Sequence, residues 1–261
     1  MSKLKSESGT ITSVINGKIA TISFYHPNHN ALPSSLLNQL AQSIDKFGKN
    51  ESIHVIVLKS EGEKTFCAGA NFDELLTIKS EEEGKLFFSG FAKVINAIRL
   101  ARQPVIGRIQ GKAIGGAVGL AAACDYCFAT KDASLKLSEL SIGIGPFVIA
   151  PAVQRKVGLS AFTELAFNPL SFKSAYWAAE RGLYQSVLDD IEALDSTVEN
   201  FCKQLADYSF IALCEIKKYL WNETKHWDSL LLSQAEISGK LIVDTQTKEA
   251  INKIKFDNKA R

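Results

Sequence analysis

The chain is poor in the residues that would mark several large classes of protein. Its five cysteines, Cys67, Cys124, Cys127, Cys202 and Cys214, are odd in number and lack the spacing of a disulfide framework, so they read as reduced thiols of a cytoplasmic protein. Cys124 and Cys127 form a CxxC, but no second pair accompanies it and it lacks the strand-to-helix setting of a redox pair; structural cysteines are expected. There are four histidines. His26 and His29 stand three apart, yet Pro27 between them breaks the helical geometry that a metal pair would use, and no GxSxG elbow supplies a nucleophile. Both read as solvated loop histidines, and no metal site is expected. No apolar run approaches a membrane-spanning length, and "MSKLKSESGT" has lysines with no apolar run behind them, which speaks against a signal peptide. Charge of one sign is also lacking. Lys and Arg total 30 against 28 Asp and Glu, a net charge of +2 with no basic stripe, so nucleic acid is not an expected partner. A modest positive balance still suits a small anionic ligand.

What is present is a globular chain of 261 residues with 46% hydrophobic content. "ITSVINGKIATISFY" reads as two strands around the turn Asn16-Gly17, and "HPNHNALP" as a loop. Leu36, Leu37, Leu40, Ile44 and Phe47 fall at helical spacing and stop at Gly48. "SIHVIVLKS" predicts a buried strand, and "EGEKTFCAGANF" a loop. A helix over Ser80 to Ala101 has Phe87, Phe88, Phe91, Val94, Ile95 and Ile98 as its apolar stripe. "QPVIGRIQG" predicts another strand, and "DYCFATKDASLKLSEL" two short extended pieces. From Pro151 the pattern is mostly helical. Strands with helices come first and helices later; the later ones cover the core or form a subunit interface.

The stretch "GKAIGGAVGLAAACD", from Gly111 to Asp125, raises a question of chemistry. A phosphate loop needs Lys-Ser/Thr after its glycines, but Lys112 precedes them. Gly111, Gly115, Gly116 and Gly119 are mis-spaced for a dinucleotide fingerprint. Two readings stay open: close helix packing on glycines four apart, or a helix N-terminus that offers backbone N–H groups to a ligand atom. "FCAGANF", Phe66 to Phe72, is a second Gly/Ala loop after a buried strand, able to supply a second donor. It favours the second reading, since paired donors suit a developing oxyanion.

These two segments resemble the enoyl-CoA hydratase/isomerase, or crotonase, superfamily. "FCAGANFDEL" and "QPVIGRIQGKAIGGAVGLAAACDYCFAT" are similar to its two long motifs, "AAERGLY" to a later element and "TKEAINKIKFDNKAR" to its terminus. The segment "GGAVGL…LSELSIGIGPFVIAPAVQ" is most similar to a bacterial branch of methylglutaconyl-CoA hydratases.

The resemblance implies an α/β fold: a spiral of ββα units with a helical C-terminal region. It divides the chain into a core over 1–195 and C-terminal helices over 196–261 that serve trimerisation or cover a site. It implies an acyl-CoA thioester as substrate, coenzyme A entering only as part of it with no further cofactor, and a homotrimer or dimer of trimers. The thioester oxygen would lie between the N–H groups of Ala68 and Gly116, and Glu139 would move the proton. Ala70, Asn71, Phe72, Gly115, Lys248 and Lys259 would contact substrate or its CoA portion. Gly119 stands where many relatives keep a first glutamate. The expectation is water addition to a short or branched, methylglutaconyl-like 2-enoyl-CoA. The alternatives are 3-enoyl- to 2-enoyl-CoA isomerisation on the single glutamate, decarboxylation of a branched glutaconyl thioester, and a non-catalytic acyl-CoA-binding homologue.

Overall fold

A computed structural model describes residues 9–259, with side chains described to residue 253. In chain order the elements are β1 (Thr10–Asn16), β2 (Ile19–Tyr25), α1 (Ser34–Gly48), β3 (Val55–Ser60), β4 (Thr65–Cys67), α2 (Phe72–Thr77), α3 (Glu81–Leu100), β5 (Val105–Ile109), β6 (Lys112–Ile114) and α4 (Gly116–Ala123). They continue with β7 (Tyr126–Thr130), β8 (Ser134–Lys136), a 3-10 turn (Glu139–Ile142), α5 (Ala150–Phe167), β9 (Lys173–Ser174), α6 (Ala175–Glu180) and β10 (Ser186–Leu188). The chain then runs through α7 (Ile191–Asp207), α8 (Phe210–Leu220), a short 3-10 turn (Asn222–Thr224), α9 (Trp227–Ile242) and α10 (Thr245–Lys259).

The strands form two sheets, ordered β1-β2-β3-β5-β7-β10 and β4-β6-β8-β9. Successive strands alternate between them. β3, β5 and β7 lie in the large sheet; β4, β6 and β8, which follow each directly, lie in the small one. A helical segment then returns the chain to the large sheet, so the spiral of ββα units is the observed fold. In the small sheet β4 pairs with β6 and β6 with β8, both in parallel. Their C-terminal ends therefore lie side by side, and the loops that leave them converge.

The large sheet is covered on both faces, which explains the near-continuous burial of β3 and β5. One face meets α1 and α3 in the main core. The other meets α7, whose Leu194, Val198, Cys202 and Ala206 pack on Val55, Val57, Ile106 and Phe128. α7 runs without a break through residue 195. α3 starts where Ser80 Oγ accepts the Glu83 N–H and three glutamates occupy the first turn, which suits the positive helix end. Its stripe is the expected one, and each of its buried phenylalanines contributes roughly 1.5–3 kcal/mol by leaving water.

The C-terminal helices cover the core of their own chain. α9 lies along α3 at a glycine contact: a Cβ on Gly84 would sit 2.8 Å from Gly239 Cα. α10 rests on α2 and on the 3-10 turn that contains Glu139. α8 is anchored by Asp125, whose carboxylate accepts the Val105 N–H, Lys217 Nζ and Trp221 Nε1, each at 2.7 Å. All five cysteines are free; Cys124 and Cys127 donate to the carbonyls of Leu120 and Ala121, in keeping with a structural role. The reading of His26 as solvated is corrected: it is 6% exposed, and Nδ1 accepts the Asn28 N–H. His29 is exposed as expected. Among the described residues, no helix is long and apolar enough to cross a membrane.

Candidate active site

The three loops that leave β4, β6 and β8 meet at one pocket. Ala68, Gly69 and Ala70 come from the first, Gly115 and Gly116 from the second, Ser138 and Glu139 from the third. The apolar wall is Phe72 and Leu75 of α2, Phe88 and Phe91 of α3, and Ile142 with the run from Ile144 to Ile149 before α5. Ser238 of α9 closes it. Of the expected contact residues, the structure thus brings Ala70, Phe72 and Gly115 to the pocket together with Gly116 and Glu139.

Gly115 has φ +56° and ψ −123°, a turn that only glycine enters without strain; it swings the chain from β6 into α4. Its N–H is used by the Lys136 carbonyl at 2.9 Å. Gly116 opens the helix, so its N–H has no intrahelical acceptor. A side chain at either glycine would have to displace a pocket residue. A Cβ on Gly116 would sit 2.3 Å from Phe91 Cε1, and one on Gly115 would sit 2.9 Å from Glu139 Oε1. The Glu139 carboxylate therefore lies directly against the glycine turn.

The first loop requires a correction. The Ala68 N–H points away from the pocket and donates to the His29 carbonyl at 3.1 Å. It is spent. Two residues on, the pattern alternates as in a strand. Leu32 N–H donates to Gly69 O at 2.8 Å, Asn71 N–H donates to Leu32 O at 3.3 Å, and Leu32 and Ala70 form a parallel bridge. Ala70 N–H thus faces the other way, toward the pocket, with no acceptor among the described residues. Gly69, at φ +84°, makes this turn, and the two donor loops touch: a Cβ on Gly69 would lie 2.6 Å from Ile114 O and 3.4 Å from Gly116 N. The donor pair offered to the pocket is Ala70 and Gly116.

Asn71 also differs from expectation. It is 6% exposed, and Oδ1 caps α2 by accepting the Glu74 N–H at 3.0 Å, so its side chain serves the helix. Lys248 Nζ donates to the carbonyls of Leu75 and Ile78 at 2.9 and 2.7 Å, which fastens α10 to the end of α2. Lys259 ends α10, and its side chain lies outside the described residues.

Glu139 is half-buried as a residue, but its carboxylate tip is sealed and Oε2 has no hydrogen-bond partner. Burial pushes its carboxyl up to about 7, with its own backbone N–H opposing weakly. A carboxyl poised near neutrality can both take and return a proton. Glu139 is the one titratable side chain among the described residues lining the pocket. Gly119 lies one helical turn beyond Gly116, and the room for a side chain there is taken: a Cβ would be 2.3 Å from Ile149 Cγ2. Ile149, 3% exposed, takes that space and lines the same pocket as Glu139. The sequence alone gave no sign of this contact.

Two N–H groups without an acceptor among the described residues, beside a carboxyl with a raised pKa in an apolar cleft, form an arrangement able to hold negative charge on a carbonyl oxygen. Comparison with known proteins gives the family. Residues 14–256 match the family model described as enoyl-CoA hydratase/isomerase, and the chain belongs to that family of enzymes. It is 27% identical to a probable enoyl-CoA hydratase of Bacillus subtilis over 245 residues, covering 92% of this chain and 93% of the relative. It is 35% identical to the mitochondrial methylglutaconyl-CoA hydratase of Mus musculus over 140 residues, 53% of this chain and 44% of the relative. Among solved structures, the enoyl-CoA hydratase of Bacillus halodurans superposes with a TM-score of 0.87 at 21% identity, over 93% of this chain and 99% of that one, which shows a shared fold.

Proposed function

We propose that this enzyme moves a proton between C2 and C4 of an uncharged, short 3-enoyl-CoA thioester. The observation that carries the reading is the single carboxylate: Glu139 lines the pocket, and Ile149 fills the space a side chain at position 119 would need. The thioester oxygen accepts from Ala70 N–H and Gly116 N–H. The ionised Glu139 removes a C2 proton, the electron pair moves through the conjugated system onto the oxygen, and the two amides hold the resulting dienolate. The same carboxyl, now neutral, returns its proton at C4, and the double bond moves to C2–C3. Each N–H donor contributes about 3 kcal/mol to lowering such a barrier. The apolar walls keep water from the dienolate.

Hydration of a 2-enoyl-CoA is the second reading, supported by the likeness to enoyl-CoA hydratases. It needs water at C3, managed by Glu139 alone. A methylglutaconyl-like acyl group carries a second carboxylate, and no Lys, Arg or His lines the described pocket to receive it. The geometry therefore favours an uncharged acyl chain for either reaction. The CoA portion leaves past the Ala70–Phe72 loop. Lys248, with two of its three donors already used, retains one for a phosphate.

Exposed apolar side chains on the outer helices and the turn after α5, including Phe167, Leu170, Ile211 and Tyr219, support assembly as a homotrimer or dimer of trimers. The deciding assay offers 3-hexenoyl-, crotonyl- and 3-methylglutaconyl-CoA to the purified protein. Isomerisation of the first should be the fastest reaction. Hydration of crotonyl-CoA with an inert 3-enoyl substrate would overturn the reading in favour of the second.

A further inference from the structure

Asn30 lies outside the pocket lining, yet the donor loop depends on it. It is 4% exposed and holds the left-handed conformation, φ +59°, after His29 at φ +52°. Asparagine tolerates that region better than most residues, though at a cost that its surroundings must repay. Its side chain makes three hydrogen bonds. Nδ2 donates to Glu61 O at 2.8 Å and Thr65 O at 3.0 Å, and Oδ1 accepts the His26 N–H at 3.0 Å. One buried amide thus ties the 26–32 loop to both ends of the connection between β3 and β4.

The neighbours of Asn30 are what orient Ala70. His29 O receives the Ala68 N–H, and Leu32 takes both Gly69 O and the Asn71 N–H. The Leu32 N–H holds the oxygen of the Gly69–Ala70 peptide, the same peptide that carries the Ala70 N–H, so that N–H points the opposite way, toward the pocket; the bonds of Ala68 N–H and Asn71 N–H fix the chain on either side. We infer that Asn30 is a positioning residue for the Ala70 N–H: it locks the 26–32 loop, and that loop aims the donor. The inference rests on the proposed oxyanion role of Ala70.

The test uses Asn30→Gly, which keeps the left-handed conformation without strain and removes all three bonds, and Asn30→Asp, which keeps the acceptor and removes both donors. Each folded variant is titrated with 2,4-hexadienoyl-CoA, a conjugated thioester whose absorption moves to longer wavelength as its carbonyl is polarised. Turnover of a 3-enoyl-CoA is measured alongside. Misplacing a donor without losing the pocket should lower kcat by about tenfold to a hundredfold, leave KM nearly unchanged and shrink the red shift of the bound ligand. A folded variant, however thermolabile, that keeps the full red shift and kcat would overturn the inference. So would a fall in kcat with an unchanged red shift in both variants. A wild-type protein that binds the ligand with no red shift would instead sink the oxyanion role itself.

Discussion

The two donor loops do the same task by different means. The Gly115–Gly116 loop is self-sufficient: one positive-φ glycine turns the chain, and the helix it opens leaves an N–H free by its own geometry. The Ala68–Asn71 loop also turns on a positive-φ glycine, Gly69, but no helix starts at its donor. Its helix, α2, begins after the donor and is six residues long, and the direction of the Ala70 N–H comes from a bridge to Leu32. A donor at a helix start is a local property of sequence. A donor set by a bridge belongs to the tertiary structure and fails when a distant loop moves.

The largest expected effect comes from the carboxylate that both loops serve. Glu139→Gln should lower isomerisation by about 10²–10⁴-fold while thioester binding persists, because both donors remain; steady-state kinetics with a binding titration checks it. Next, Gly116→Ala breaks the self-sufficient loop by collision with Phe91, and the cost should be about 10²–10³-fold in kcat with a lowered Tm. Adding Phe91→Leu should recover Tm better than turnover, since the methyl still stands in the thioester's path. A smaller effect comes from Gly69→Ala in the other loop. The φ of +84° makes alanine strained there by about 1–3 kcal/mol, read as a shift in denaturant midpoint, with a partial loss of kcat.

The pH dependence sharpens the shared element. Glu139 must be ionised to start the reaction, so kcat/KM should rise with pH below about 7 and level off above it. The stability effect has the opposite sense. A carboxyl raised from 4.5 to about 7 in the fold gives stability that is fully present below 4.5 and lost as pH rises through about 7. Glutamine mimics the neutral acid, so the Tm advantage of Glu139→Gln over wild type should grow between pH 5 and 8. Paired thermal melts test this, and a constant difference would contradict a sealed carboxyl.

Legibility in the sequence followed the same local-versus-tertiary division. The helix over residues 81–100, the hairpin at Asn16-Gly17 and the buried β3 were readable because their periodicity and turn chemistry lie within a dozen residues. Gly116 and Glu139 were reached through motif resemblance. The strands β4, β6, β9 and β10, two or three residues each, were not resolved from loop, because such short pieces carry no period. The resemblance points to Ala68 and the structure to Ala70, because alternation along a segment is invisible until its partner, here Leu32, is known. Ile149 was missed for a related reason: it lies thirty residues from Gly119 in sequence and meets it only when α5 starts against α4.

That both donors are main-chain atoms has a consequence for how such a protein can diverge. A peptide N–H is present whatever the residue type, proline aside, so on the proposed mechanism the part of the site assigned to the enolate is shielded from most single substitutions. The side chains at 119, 139 and 149 have no such protection. The scaffold can therefore keep its affinity for one kind of transition state while the reaction drawn from it is rewritten by a few side chains at the pocket wall.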